Sequence, residues 1–371
     1  MRNYLKNFDL WLYIIPILLT LTGIAVIFSL IYTKDAEGLI VKQSISLVLG
    51  IGAMVFLSFY DYRQLRNIVW PLYIAGIILL IVVDLWGYTS GGATRWLQVG
   101  PIQIQPSEIF KGISAIFFAS YFGERIGDIK LKDFFFLLIT AGIPLILILT
   151  QPDLGTALVL SFMIIITLFW LKLNRKQLII YLLFLAFIPL LFSLAYKNVS
   201  PFGVLLKDYQ RARVEVFLDP GKDVLGRGYN VKQAIIAVGS GGVYGKGLGQ
   251  GSQSQLQFLP KAHTDFIFSG FAEAFGFVGS LILIGIFVFL IIRTMRAANL
   301  SKDSFGLLIS IGVGAMLFFQ VVENIGMNIG MLPVTGIPLP FLSYGGNSLA
   351  VNFALLGIVQ SIILRHKKII F

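Results

Sequence analysis

The sequence predicts an all-α polytopic membrane protein: about ten transmembrane helices, with a large extracellular loop between the seventh and the eighth. Three observations carry this. Of 371 residues, 57% are hydrophobic and only 13% charged, about half the charged share of a soluble domain. Apolar runs recur at lengths that cross a hydrocarbon core, which takes roughly 20 helical residues. Basic residues concentrate in alternate short loops, as they do in multi-pass proteins.

Ten spans can be drawn, at about 10–31, 39–60, 68–86, 104–122, 133–150, 153–171, 177–196, 266–292, 304–326 and 343–364. The first is too long for a signal-peptide core, and no small-residue cleavage site follows it. One set of loops holds Arg63, Arg66, Arg125, Lys130, Lys132, Arg175, Lys176, Arg293, Arg296 and Lys302, and the chain ends on that side are basic too. Short loops of the other face hold Lys34, Arg95 and Lys42. The positive-inside rule therefore places both termini in the cytoplasm. The net charge of +11 thus reports orientation rather than nucleic-acid binding. There is no cysteine, which excludes disulfides and thiol nucleophiles. With His263 and His366 the only histidines, a His-built zinc site is disfavoured. Residues 1–371 read as a single transmembrane domain, with 197–265 as its outer loop.

Three stretches then face outward: "GYTSGGATRWLQVGPIQIQPSE" (87–108), the segment 197–265, and the uncharged "GMLPVTGIPLPFLSYGGNS" (330–348). The middle one far exceeds an ordinary connection, and loops of that size usually carry function. Within it "VKQAIIAVGS" (231–240) suits a short amphipathic helix on the membrane surface. The segment holds nine Lys and Arg against five Asp and Glu. Beside the glycine run 239–253, that excess would suit an anionic phosphate ligand. The run lacks the Gly-Lys-Ser/Thr and following helix of a nucleotide-binding loop.

Ionisable residues inside spans are costly and face a bundle interior or a polar cavity. Here they are Glu108, Lys111, Asp153, Glu273 and Glu323. Glu108 and Lys111 stand three apart and share a helix face. They read either as a structural ion pair or, with Glu273, as the lining of a polar cavity at the outer end. "QPSE" (105–108) and "QPDLGT" (151–156) look alike: Pro in a first helical turn, with Ser107 and Asp153 suited to helix N-termini. "KAHTDFIFSG" (261–270) has two readings of equal weight. Thr264 or Asp265 caps the eighth span, or Asp265 is a general base at the membrane surface.

Taken together, "FLPKAHTDFIFSGFAEAFGFVG", "RWLQVGPIQIQPSEIFK", "QPDLGTA" and "PLPFLSYGGNS" resemble, in order and over nearly the whole chain, the SEDS family typified by RodA and FtsW. "GQGSQSQLQFLP" (249–260) is more similar to its RodA branch. The resemblance implies a peptidoglycan glycosyltransferase of the cytoplasmic membrane, serving cell-wall elongation. It would polymerise lipid II at the outer face, with a class B penicillin-binding protein as transpeptidase partner. It implies Asp265 as the essential catalytic residue and general base. Glu108, Lys111 and Glu273 are then cavity residues, Arg95 and Trp96 substrate-facing, His263 a substrate neighbour, and Arg211 and Arg213 phosphate contacts. A divalent cation, Mg²⁺ or Mn²⁺, near Asp265 would balance the leaving pyrophosphate, held by oxygen ligands and water. Three positions depart from the family pattern: Lys261, Ala274 and Asn347. A lipid II flippase and a non-catalytic scaffold for the penicillin-binding protein remain rival readings.

Overall fold

The computed structural model describes residues 7–30, 34–90, 93–100, 102–127, 129–171, 208–219, 226–256 and 261–366, together with 173, 175–179, 181, 183, 196, 197 and 258. It is a helical bundle. The helices are α1 (Trp11–Leu30), α2 (Lys34–Phe59), α3 (Leu65–Trp86), α4 (Pro106–Gly123), α5 (Leu131–Thr150), α6 (Leu154–Phe169), α7 (Asp208–Leu218), α8 (Arg227–Ser240), α9 (Ser252–Gln255), α10 (Ile267–Leu300), α11 (Ser304–Asn328) and α12 (Gly346–Leu364). Among the described residues, seven helices are long and apolar enough to cross a membrane: α1, α2, α3, α5, α10, α11 and α12. The expected fourth and sixth spans are α4, which carries two charged residues, and α6, which has 16 residues. The expected seventh, 177–196, lies almost wholly outside the described residues.

Burial sorts the helices into two sets. Residues of α11 and α12 are mostly buried, whereas α2, α3 and α10 turn apolar side chains such as Phe56, Leu85 and Ile292 outward. In water such faces would be a liability; against lipid tails they cost nothing. Around α11 pack α4, α6 and α10, and α12 lies along α2. That last contact is close: a Cβ added to Gly357 would come 2.6 Å from the Met54 carbonyl oxygen. Small residues let membrane helices approach in this way, without a hydrophobic drive between them.

The first outward stretch is not an irregular loop. It forms an antiparallel three-stranded sheet, β1 (Tyr88–Ser90), β2 (Ala93–Val99) and β3 (Ile102–Ile104), with β2 central. Tyr88 pairs with Trp96, and Leu97 with Ile104. The β-branched and aromatic residues there suit strands, a signal masked in the sequence by the surrounding glycines. The second stretch carries α7, α8 and α9 rather than bare loop. In α8, the helix expected on 231–240, Ala234 and Ala237 are buried while Ile235 and Ile236 are exposed.

Candidate active site

The site begins with the turn 261–266, which delivers Asp265 to the mouth of α10. Lys261 sits in the left-handed region at φ 54°, a conformation few non-glycine residues hold without surrounding support. That support is extensive. Thr264 N–H donates to the Lys261 carbonyl at 3.1 Å, and Tyr344 N–H to the His263 carbonyl at 2.9 Å. Ser343 Oγ donates to the Thr264 carbonyl at 2.8 Å while accepting from Leu339 N–H at 2.8 Å. Gln43 of α2 donates to the Ser343 carbonyl at 3.1 Å and accepts from Gly345 N–H at 3.2 Å. The uncharged 330–348 stretch is therefore a mould for the His-Thr-Asp turn.

Two asparagines of α11 complete the mould. Asn324 and Asn328 each donate to the Asp265 carbonyl oxygen at 3.0 Å. Asn324 also donates to the Ile337 carbonyl at 2.8 Å. Asn328 Oδ1 accepts from Ser269 N–H at 3.0 Å and from Ser269 Oγ at 2.6 Å. This bears on the capping reading of Asp265. The N-cap of α10 is Phe266, with no side-chain cap, and the Ser269 N–H of its first turn is shared between the Phe266 carbonyl at 3.1 Å and Asn328 of the neighbouring helix. Neither Thr264 nor Asp265 does the capping. The Asp265 carboxylate is thus not spent on the helix, and among the described residues the Thr264 hydroxyl is its hydrogen-bond partner.

Around that carboxylate the charges are positive. Burial pushes the Asp265 carboxyl above its usual range, opposed by the charges of Lys261 and Arg95, the Thr264 hydroxyl and the charge of Arg213. The side chain nonetheless keeps partial access to the surface. Beside it, burial holds the His263 imidazole below its usual pKa, Lys261 acting the same way and Asp265 opposing. His263 is neutral at physiological pH, and its ring meets Tyr344 edge-on at 5.9 Å. Arg213, on α7, donates to the Thr335 carbonyl at 2.9 Å. Thr335 Oγ1 donates to Glu323 Oε1, and Glu323 Oε2 finds no hydrogen-bond partner among the described residues. Gly336, next along, faces Asp265: an added Cβ would lie 3.6 Å from Oδ2. Arg211 shares α7 with Arg213 but stands two residues away, off its face.

"QPSE" and "QPDLGT" form one network. Asp153 caps α6 through Thr156 N–H at 3.2 Å, as its sequence position suggests. The same carboxylate accepts from Gln105 Nε2, Ser107 Oγ and Thr156 Oγ1, each at 2.9 Å, and faces Arg95 at 3.6 Å. Arg95 is thus aimed by Asp153. Trp96 is its neighbour on β2, where the pairing with β1 shifts register: Tyr88 faces Trp96 and Thr89 faces Thr94, leaving Arg95 as the extra residue of a bulge. Glu108 and Lys111 are a buried pair: Lys111 Nζ lies 2.9 Å and 2.8 Å from the two carboxylate oxygens. Glu273 is fully buried and engaged elsewhere, with Lys246, Ser240, Gln253 and Ser254. The structure joins Arg95, Arg213, Lys261 and His263 around Asp265; it does not bring Glu273 to Glu108 and Lys111.

Sequence reasoning did not find Asn324, Asn328, Ser343 and Gln43. Their one signal was a buried amide or hydroxyl on an otherwise apolar helix or loop. Several backbone donors of the glycine run are already engaged. The N–H groups of Lys246 and Gly247 are spent on the Glu273 and Ala274 carbonyls, and that of Gly249 on Ser29 Oγ. Among the described residues no group of three or more His, Asp or Glu is arranged to hold a metal ion. A cation at Asp265 would take most of its ligands from water and phosphate, a set Mg²⁺ accepts.

The FtsW/RodA/SpoVE family model, described as cell cycle protein, matches residues 9–368. Peptidoglycan glycosyltransferase MrdB of Escherichia coli K12 is 40% identical over 334 residues, covering 90% of this chain and 87% of that one. Peptidoglycan glycosyltransferase RodA of Treponema pallidum is 33% identical, covering 93% and 95%. Among solved structures, a chain of a peptidoglycan synthase complex, described as coordinating polymerization and crosslinking, superposes with TM-score 0.80 at 30% identity, covering 97% of this chain and 98% of that one. The rod shape determining protein RodA of Thermus thermophilus superposes with TM-score 0.69 at 28% identity, covering 96% of each.

Proposed function

The chain belongs to the FtsW/RodA/SpoVE family, and from that premise we propose that it is a peptidoglycan glycosyltransferase of the bacterial cytoplasmic membrane, serving elongation through the RodA branch. It polymerises lipid II at the outer face with Asp265 as general base, both termini lying in the cytoplasm. The observation that supports the catalytic part is an Asp265 carboxylate that does not cap its helix. Its backbone is held from α11, its helix is capped by Asn328, and its side chain stands among Lys261, Arg95 and Arg213.

The chemistry follows from those groups. A sugar 4-hydroxyl of one lipid-linked saccharide attacks the anomeric carbon of another, the new C–O bond forms, and the bond to lipid pyrophosphate breaks. The attacking hydroxyl is a poor nucleophile, so the Asp265 carboxylate takes its proton as the bond forms. A raised pKa makes this carboxylate a stronger base than an exposed one. One base and one displacement invert the anomeric centre without a covalent sugar–enzyme intermediate. Arg95 and Arg213 supply positive charge toward the departing pyrophosphate. A divalent cation, Mg²⁺ or Mn²⁺, held by Asp265 with water and substrate phosphates, would add charge neutralisation when bound. The transpeptidase partner is a class B penicillin-binding protein, a reading supported by the likeness to a chain of a peptidoglycan synthase complex.

The test uses purified protein with labelled lipid II and Mg²⁺ in detergent, with and without a transpeptidase-blocked class B penicillin-binding protein. Products are separated on a gel. A glycan ladder from wild type that vanishes in Asp265→Asn is expected. A ladder that survives the substitution removes Asp265 as the base. Lipid II crossing proteoliposomes with no ladder under any condition would establish the flippase reading instead.

A further inference from the structure

Helix α10 has 34 residues, well beyond the roughly 20 that cross a bilayer. It is not continuous. Gly276 has φ 68° and ψ −165°, a conformation natural only to glycine, and it divides an outer segment, 267–275, from an inner one, 277–300, long enough to span alone. A break at membrane depth frees backbone groups that lipid cannot satisfy, at several kcal/mol each. The outer glycine loop satisfies them. Lys246 N–H and Gly247 N–H donate to the Glu273 and Ala274 carbonyls, each at 3.0 Å. Phe277 N–H and Val278 N–H donate to the Gly242 and Val243 carbonyls at 2.9 and 3.0 Å. Gly245 lies against the backbone of Ala274 and Phe275, and a side chain there would collide with it.

One side chain welds this junction. The fully buried Glu273 carboxylate accepts from Lys246 Nζ (3.1 Å), Ser240 Oγ (3.2 Å), Gln253 N–H (3.0 Å), Ser254 N–H (3.1 Å) and Ser254 Oγ (2.6 Å). Lys246 Nζ in turn donates to Ser240 Oγ and Ser252 Oγ, each at 2.9 Å. These donors come from both ends of the glycine loop. The chain from Ser254 to Glu273 is thereby closed into a ring, and Asp265 lies on it.

We propose that Glu273 is a positioning residue: by latching the 240–254 loop across the break in α10 it fixes the outer segment, and with it the reach of Asp265. The asparagines of α11 hold the top of that segment and the Glu273 latch holds its base. Without the latch the segment pivots at Gly276 and Asp265 loses its register with the bound sugar. The substrate-binding groups on other elements are untouched. This role rests on the polymerase reading, and its test separates the two.

Glu273→Ala and the pair Lys246→Cys/Glu273→Cys are made in the full-length protein, whose lack of cysteine leaves a clean background. Ladder synthesis is followed at varied lipid II concentration. Glu273→Ala should lower kcat by about tenfold or more, with KM within about threefold of wild type. The oxidised cysteine pair, joined where the two residues already meet through backbone and side chain, should recover to within about threefold of wild type, and reduction should abolish the gain. Trypsin should cut after Lys246 faster in Glu273→Ala than in wild type. Should Glu273→Ala fold poorly, Lys246→Met keeps the loop's other donors to Glu273 and should show a smaller kcat loss in the same direction. A rise in KM at unchanged kcat would show that Glu273 touches substrate, and an oxidised pair as inactive as the reduced one would separate the defect from the latch; either result overturns the proposal. If wild type makes no ladder the polymerase reading fails, and equal tryptic cutting in wild type and Glu273→Ala would then sink the latch on its own.

Discussion

Asn328→Leu tests how the Asp265 turn is held. The substitution keeps side-chain size while removing five hydrogen bonds. Two are accepted from Ser269 N–H and Oγ, one is donated to the Asp265 carbonyl, one to the Asn324 carbonyl at 2.8 Å and one to Asn324 Oδ1 at 3.3 Å. Asn324 still serves the Asp265 carbonyl, so that group is not orphaned. The Ser269 N–H keeps the Phe266 carbonyl at 3.1 Å, but the Ser269 hydroxyl loses its acceptor in a fully buried place. At about 1 kcal/mol per net hydrogen bond, with a further 1–3 for the buried hydroxyl left unpaired, the loss is roughly 6–8 kcal/mol. It divides between global stability and the poise of Asp265. If about a fifth of it falls on the reaction barrier, the rate drops about tenfold. Asn328→Asp keeps both acceptors for Ser269 and loses both donors, so it should fall between wild type and Leu. The assay pairs initial rates of ladder synthesis with thermal unfolding in detergent. Wild-type rate and melting temperature in Asn328→Leu would refute the reasoning, and so would an Asp variant worse than Leu.

Five further outcomes are expected. Asp265→Asn, nearly isosteric, should cut the polymerisation rate by about 10²–10⁴, the usual worth of a positioned base, while leaving thermal stability close to wild type. The rate should fall on acidification at a pH above the ordinary carboxylate value of about 3.9, because the base form is required and burial raises the Asp265 pKa. Lys261→Met removes a charge that lowers it and should move the acid limb upward in a pH–rate profile. Beyond the far end of α10, burial would raise the Asp303 pKa, but Gly306 N–H, the Tyr62 hydroxyl and Arg63 outweigh it and hold it below its usual range. Its contribution to stability is present above about pH 3.9 and lost as pH falls through the lower folded value; Asp303→Asn should cost about 1–3 kcal/mol in melts at neutral pH. Finally, EDTA should stop ladder synthesis and Mg²⁺ restore it, and undiminished synthesis in EDTA would exclude the proposed cation.

The parts of the site legible in the sequence were those whose evidence is local. The Glu108–Lys111 pair follows from helical spacing alone, and the cap at Asp153 from its place before an apolar run. Asp265 was visible as a carboxylate at a span's mouth. Whether it capped that span was undecidable, since an Asp before a helix reads the same in either case. The answer lay in Asn328, some sixty residues on, whose Oδ1 reaches Ser269 across the packing of α11 against α10. The kinship of "QPSE" and "QPDLGT" was likewise visible as similarity but not as contact: Gln105 and Ser107 meet Asp153 only because α4 and α6 start side by side.

Glu273 marks the same boundary. Its burial inside a span foretold polar partners, and the glycine run 239–253 foretold an unusual backbone, yet nothing in either stretch said that one closes on the other. The sequence by itself determined the membrane-spanning helices and the presence of a carboxylate at the mouth of α10, because hydropathy and charge act locally along a chain. Only the tertiary structure decided which donors each carboxylate keeps. Those hydrogen bonds cross between elements far apart in sequence, and a carboxylate saturated by donors from a distant loop, as Glu273 is, differs from one whose described hydrogen-bond partner is its neighbour Thr264, as Asp265 is, by contacts that no local pattern encodes.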